Sequence, residues 1–245
     1  MSSYVKQVIP MYMGRVGFKH NKKFLNVYSY LIHTNDGYYL YDTGLNALFV
    51  TEKEKMLGDL AMFMLVEVKA EELLDQKLRK YGVSGSEIKA VICSHLHFDH
   101  CGGLNFFRNM KVPILVQKEE YEDALVTKRS FEYKKEDYSD VRDQLIFVDD
   151  DQCVDENEHI QLICTPGHSA GHQSLWLIGK EQKVLLTGDA VYTRESLARR
   201  EPASYPQSRK RAEASIDRLR ILAEKSDIVI CGHDGAEYSD REIVL

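Results

Sequence analysis

The sequence predicts an α/β fold of the mixed, α+β kind, and three observations carry that expectation. Short runs rich in β-branched and aromatic residues recur along the 245 residues, as strands require. Stretches with apolar residues at helical spacing stand between and after them. Histidine and aspartate gather just behind several of the apolar runs, where layered α/β folds place their sites. The length suits one large domain, and 44% hydrophobic with 29% charged residues is ordinary for a globular protein.

In chain order, residues 5–13, 28–32 and 38–41 read as strands. Asn35-Asp36-Gly37 between the last two marks a hairpin, because Asp-Gly tolerates the positive φ of a tight turn. Asp42 follows at a strand end, beside the Thr43-Gly44 turn. It reads either as a turn residue or as support for a metal ligand. Residues 45–66 lose alternation and gain Met56, Met62 and Met64 beside Phe49, Leu57, Leu60 and Phe63. Such a cluster is core, or else an adaptable wall for an apolar substrate tail. Leu74, Leu78 and Tyr81 fall at helical spacing, with Gly82 as the stop. Ser84-Gly85-Ser86-Glu87 fits a capping box ahead of a strand at 90–93.

A strand with an edge-type proline is predicted at 112–116, and a helix at 118–125. Residues 128–143 and Asp149-Asp150-Asp151 read as solvated, charged loops without the ligand spacing of an EF-hand. Strands follow at 160–164, 174–178 and 184–186. Ala212, Ile216, Leu219 and Ala223 mark an amphipathic helix, and 227–231 reads as the last strand.

Composition narrows the class. The formal net charge of −6 offers nothing to nucleic acid or an anionic membrane. Between Arg194 and Arg220 eight basic residues meet four acidic ones, a local net of +4, which reads as a solvated helix face. No apolar run approaches the roughly 20 residues of a membrane span, and the N-terminus shows no signal peptide. Cys93, Cys101, Cys153, Cys164 and Cys231 are odd in number and lack a C-x-x-C pair. Cys93, Cys164 and Cys231, in or at the end of apolar runs, read as buried free thiols in a reducing compartment, so the expected location is the cytoplasm.

The chemistry concentrates in Ser94-His95-Leu96-His97-Phe98-Asp99-His100-Cys101-Gly102-Gly103. Three histidines and an aspartate in six residues exceed what packing asks for, since each buried histidine needs a polar partner. Alternation would put His95, His97 and Asp99 on one side, with His100 turned toward a second centre. His168, Asp189 and His233 each follow a later strand. His172 is either a further ligand or an orienting donor for the loop at 166–168. One tetrahedral zinc needs three protein ligands, whereas five histidines and two carboxylates suffice for two ions sharing one carboxylate. Two ions roughly 3.5–4 Å apart can hold a hydroxide at neutral pH and polarise a carbonyl, which is hydrolytic chemistry. No G-x-S-x-G, P-loop or dinucleotide fingerprint competes.

His95-Leu96-His97-Phe98-Asp99-His100 resembles the H-x-H-x-D-H signature of the metallo-β-lactamase superfamily. Thr165-Pro166-Gly167-His168-Ser169, Gly171-His172-Gln173-Ser174-Leu175, Asp189-Ala190-Val191-Tyr192-Thr193 and Gly232-His233-Asp234 narrow the resemblance to the N-acyl-homoserine lactonases. The resemblance implies one domain over 1–245, a four-layer αβ/βα sandwich. It implies His95, His97 and His168 on one metal, Asp99, His100 and His233 on another, and Asp189 bridging both. Two divalent ions are implied, zinc first, with iron, manganese or cobalt as alternatives. Tyr192 would hold the lactone carbonyl, Asp99 would carry a proton to the leaving alkoxide, and Phe98 would pack near the substrate. The implied partner is a small lactone, with no nucleic acid and no membrane, and the Met-rich stretch adds a homodimer to the expectation. The basic segment at 17–23 is shorter than the channel-shaping insertion of such lactonases.

Rival readings use the same ligands. Another lactone, a thioester or a phosphodiester would suit them, although a relative of glyoxalase II would be expected to carry more helix after His233. A flavodiiron protein would place Glu where His97 stands and add a flavin domain.

Overall fold

The computed structural model describes residues 4–21, 23–127 and 132–245. Its early strands are β1 Val5–Phe18, β2 Phe24–Thr34, β3 Tyr38–Tyr41, β4 Met64–Glu67, β5 Ile88–Ile92, β6 Ile114–Gln117 and β7 Leu145–Val148. The later ones are β8 Gln152–Cys153, β9 Ile160–Cys164, β10 Gln173–Ile178, β11 Lys183–Leu186, β12 Ile228–Ile230 and β13 Ile243–Val244. The helices are α1 Lys53–Leu57, α2 Leu74–Lys80, α3 Phe98–Cys101, α4 Lys118–Val126, α5 Lys135–Tyr138, α6 Arg194–Arg199 and α7 Arg209–Ala223. Among the described residues no helix is long and apolar enough to cross a membrane.

One sheet runs β13-β1-β2-β3-β5-β6-β7, with β4 also on β1. It begins antiparallel, and the turn predicted at Gly37 (φ +142°) joins β2 to β3. From β3 onward β5, β6 and β7 add in parallel. The second sheet runs β12-β11-β10-β9-β8, antiparallel except where β12 meets β11.

Three apolar interfaces fix four layers. Tyr41, Ile92 and Leu115 from the first sheet meet Leu162, Leu175 and Leu186 from the second. On the outer face of the first sheet, Met11, Leu40 and Val91 pack under Leu78, Leu104 and Phe107. On the outer face of the second, Leu185 and Cys231 receive Ile216 and Leu219 of α7, the helix predicted from spacing. Each fully buried aliphatic side chain of this kind contributes about 1.5–3 kcal/mol. Because β5, β9, β11 and β12 all finish at the same rim, the loops that follow them converge there.

Several expectations change. Pro113 does not mark an edge: β6 lies between β5 and β7, and the proline stands just before the first paired residue, its carbonyl accepting from Val91 N at 2.9 Å. β12 is not the last strand, because β13 returns to β1. Part of the charged stretch at 128–143 is not solvated. Tyr133, Tyr138 and Val141 join the core, and Asp137 is buried with Asn46 donating to it at 2.6 Å. Lys128–Phe131 of that stretch, Lys22 in the basic segment, and residues 1–3 lie outside the described residues. The basic face at 194–220 carries ion pairs, Arg200 with Asp217 and Arg211 with Glu119.

Candidate metal centre

β5 delivers the first ligand loop. The chain bends at Ser94, and from an extended His97 (φ −71°, ψ 149°) it enters α3. Alternation therefore stops at His97. Asp99 and His100 lie on a helical turn, and Asp99 groups with His100 and His233 rather than with His95 and His97 as strand alternation would have it. The 164–173 loop between β9 and β10 brings His168, the end of β11 brings Asp189, and the end of β12 brings His233. Gly232 permits the last approach, since a Cβ there would lie 2.5 Å from Asp189 Oδ1.

All seven predicted side chains meet. Their candidate ligand atoms form three groups, each within 4.8 Å: His95, His97 and His168; Asp99, His100 and His233; and His95, His100 and Asp189. His97 Nδ1 stands 3.0 Å from His95 Nε2 and 3.1 Å from His168 Nε2. Asp189 Oδ2 is central, 3.2 Å from His233 Nε2, 3.5 Å from His100 Nε2 and 3.6 Å from His168 Nε2.

Neighbours fix the rings. Asp42 accepts from Ser94 N at 2.6 Å, from Ser94 Oγ at 2.7 Å and from His100 Nδ1 at 2.8 Å. Both readings have a basis in the geometry, because Asp42 turns the chain at φ +61° and also bonds a candidate ligand. With its proton given to Asp42, Ser94 Oγ accepts from His95 Nδ1 at 2.9 Å. Asn26 O accepts from His233 Nδ1 at 2.6 Å. In each case the far nitrogen faces the centre, and a cation bound there would meet its lone pair in the arrangement that raises ligand basicity. His172 belongs to the scaffold. Ser174 Oγ donates to Thr187 O and Thr165 Oγ1 donates to Ser174 Oγ, so His172 Nδ1 must donate to Thr165 Oγ1.

The electrostatics favour cations. Burial, then His100, His97 and His168, holds His95 well below its ordinary pKa. Burial also opposes charge on His100, yet Asp189, Asp99 and Asp42 raise it well above the usual histidine range. Burial works against Asp189 as an anion, but His233 and His100 pull it well below the carboxylate range. His100 Nε2 and Asp189 Oδ1 are buried without a hydrogen-bond partner. Leaving such atoms unmet costs about 1–3 kcal/mol each, and a divalent cation would satisfy both. The nitrogen and oxygen donors suit zinc, iron, manganese or cobalt.

A cavity of about 120 Å³ opens over the cluster. Asp99, Asp189, His97, His168 and His233 contribute to its lining, and Val16, Phe18, Leu25 and Met64 make an apolar wall beside Phe98. Tyr192 stands at its side, its ring 4.7 Å from that of His233.

Residues 23–233 match the family model of the metallo-beta-lactamase superfamily. The chain belongs to this superfamily. It is 35% identical to the N-acyl homoserine lactonase AiiA of Bacillus thuringiensis subsp. kurstaki, over 86% of this chain and 82% of that protein. Among solved structures it resembles an N-acyl homoserine lactone hydrolase with the product N-hexanoyl-L-homoserine bound at the catalytic metal center. That likeness has a TM-score of 0.83 and 33% identity, covering 96% of this chain and 95% of the other. A quorum-quenching N-acyl homoserine lactone hydrolase gives a TM-score of 0.80 at 32% identity, over 97% and 96%.

On this metallo-beta-lactamase scaffold some site residues had no signal in the sequence. Glu132 Oε2 lies 3.6 Å from His97 Nε2, and the Tyr133 ring stands edge-on to His97 at 4.8 Å. Both sit in the run that reads as a charged loop. Val16, Phe18 and Leu25 of the apolar wall come from the β1–β2 hairpin, whose alternation resembles that of any half-buried strand. Of the Met-rich cluster, Met64 lines the pocket, Phe49, Met56 and Leu57 are core, and Met62 and Phe63 are exposed.

Proposed function

We propose that this protein is a metal-dependent hydrolase that opens the lactone ring of N-acyl-homoserine lactones. The observation that carries the reading is a single cavity that combines the seven-residue cluster, Tyr192 and an apolar wall. His95, His97 and His168 would hold one divalent ion, Asp99, His100 and His233 a second, and Asp189 would serve both. Two such ions, most simply zinc, supply Lewis acidity toward a carbonyl oxygen and lower the pKa of water.

The chain's own groups do the rest. Val16, Phe18, Leu25 and Met64 take the acyl chain and exclude water from it. The Tyr192 hydroxyl donates to the carbonyl oxygen and strengthens its hold as negative charge develops there. Water adds to the carbonyl carbon, the ring C–O bond breaks, and the leaving alkoxide takes a proton. Asp99 would carry that proton, and its Oδ2 lies 3.7 Å from His100 Nε2. The product is an N-acyl-homoserine with a free carboxylate and hydroxyl.

Two further parts of the reading have structural support. The two sheets share one core, as a single domain over 1–245 requires. All five cysteines are free, with Cys153 exposed, which suits the reducing cytoplasm. A pH-stat assay of the metal-loaded protein with N-hexanoyl-homoserine lactone should show stoichiometric acid release. Silence on lactones with turnover of a thioester or phosphodiester would reassign the substrate.

A further inference from the structure

α4 opens beside the metal centre, and its Glu120 points inward with no exposed surface. Glu120 Oε1 accepts from Leu96 N at 2.9 Å, and Leu96 stands between His95 and His97. Glu120 Oε2 accepts from Gly171 N at 2.9 Å, in the loop that carries His168. The fit is close, since a Cβ on Gly171 would lie 2.5 Å from Glu120 N. The Tyr133 hydroxyl stands against the same carboxylate, and the Tyr133 ring packs on His97.

A buried carboxylate is costly unless its oxygens are bonded, and these bonds go to the two loops that present His95, His97 and His168. Charge-assisted bonds are roughly twice as strong as neutral ones. An ionised carboxyl accepts at both oxygens, as this pair of N–H groups demands. A glutamine would turn an NH₂ group toward one of them. We propose that Glu120 is a positioning residue that staples the 95–97 segment to the 168–171 loop, so that the three histidines converge before an ion arrives. The inference rests on the metal-centre reading above.

The test equilibrates zinc-loaded wild type, Glu120→Gln and Glu120→Asp with a graded chromophoric chelator. Circular dichroism monitors the fold, and melts are recorded with and without zinc. Glu120→Asp keeps the charge but is too short to reach both N–H groups. Both variants should release one zinc per chain roughly 10–100-fold more readily than wild type, and their melting points should fall more with zinc than without. A folded Glu120→Gln with wild-type zinc affinity overturns the inference. So does an unfolded Glu120→Gln beside a Glu120→Asp of wild-type affinity. A wild type that binds no zinc removes the metal reading and this inference together.

Discussion

Asp42 Oδ2 accepts from His100 Nδ1 at 2.8 Å while its backbone sits at φ +61°. The residue that orients the histidine is thus held in the left-handed region, which aspartate and asparagine tolerate better than most residues. Asp42→Asn keeps the backbone comfortable while it removes the charge and turns one of the two accepting oxygens into an NH₂ group, so the backbone is left out of the comparison. We expect a normally folded protein that binds its second zinc roughly 10–100-fold more weakly, read by chelator competition. An affinity within twofold of wild type would sink the orienting role.

Asp189 lies between His100, His168 and His233 and balances their positive character. Asp189→Asn removes that balance. Metal content per chain, measured by plasma mass spectrometry, should drop below that of wild type, and lactone hydrolysis should fall by roughly 100-fold or more. Retention of two ions with near-normal turnover would contradict a shared carboxylate.

These groups were legible because histidine and aspartate behind a buried strand have no packing reason to be there. Their division between two groups was partly legible, and the onset of α3 at His97 supplied the missing rotation. Glu120 and Glu132 were not legible. A lone glutamate in a charged helix or loop reads as solvent-facing until the fold closes over it. Likewise β13 and α6 span two and six residues, too short to show a period. Tyr133 and Tyr138 sit in a run whose charge outweighs its three aromatics, so burial there depends on what the first sheet and α4 leave uncovered.

Tyr192 is half-buried beside His233 and belongs to none of the ligand groups. Tyr192→Phe therefore tests catalysis apart from metal loading. Loss of a donor to a developing oxyanion costs roughly 10²–10³ in turnover. We expect kcat to fall by at least 10-fold with metal content and melting temperature unchanged. Unchanged kcat with a raised KM would instead make Tyr192 a binding contact.

Asp137 sets a pH dependence away from the centre. Burial pushes its carboxyl up to about 7 from 3.8, although the Asn46 hydrogen bond works the other way. The unfolded chain loses this proton near its ordinary value, whereas the native state keeps it to about 7. Between these values the native state binds more protons, so stability falls as pH rises and levels off above the folded value. At 1.36 kcal/mol per unit the loss has an upper bound of about 4 kcal/mol. Asp137→Asn abolishes this component and retains the oxygen that Asn46 reaches. In urea unfolding of both proteins at about pH 5 and pH 8, wild type should lose more stability than the variant between the two. Because the site histidines titrate alike in both, the difference isolates Asp137, and equal losses would show that its carboxyl is already ionised in the native state.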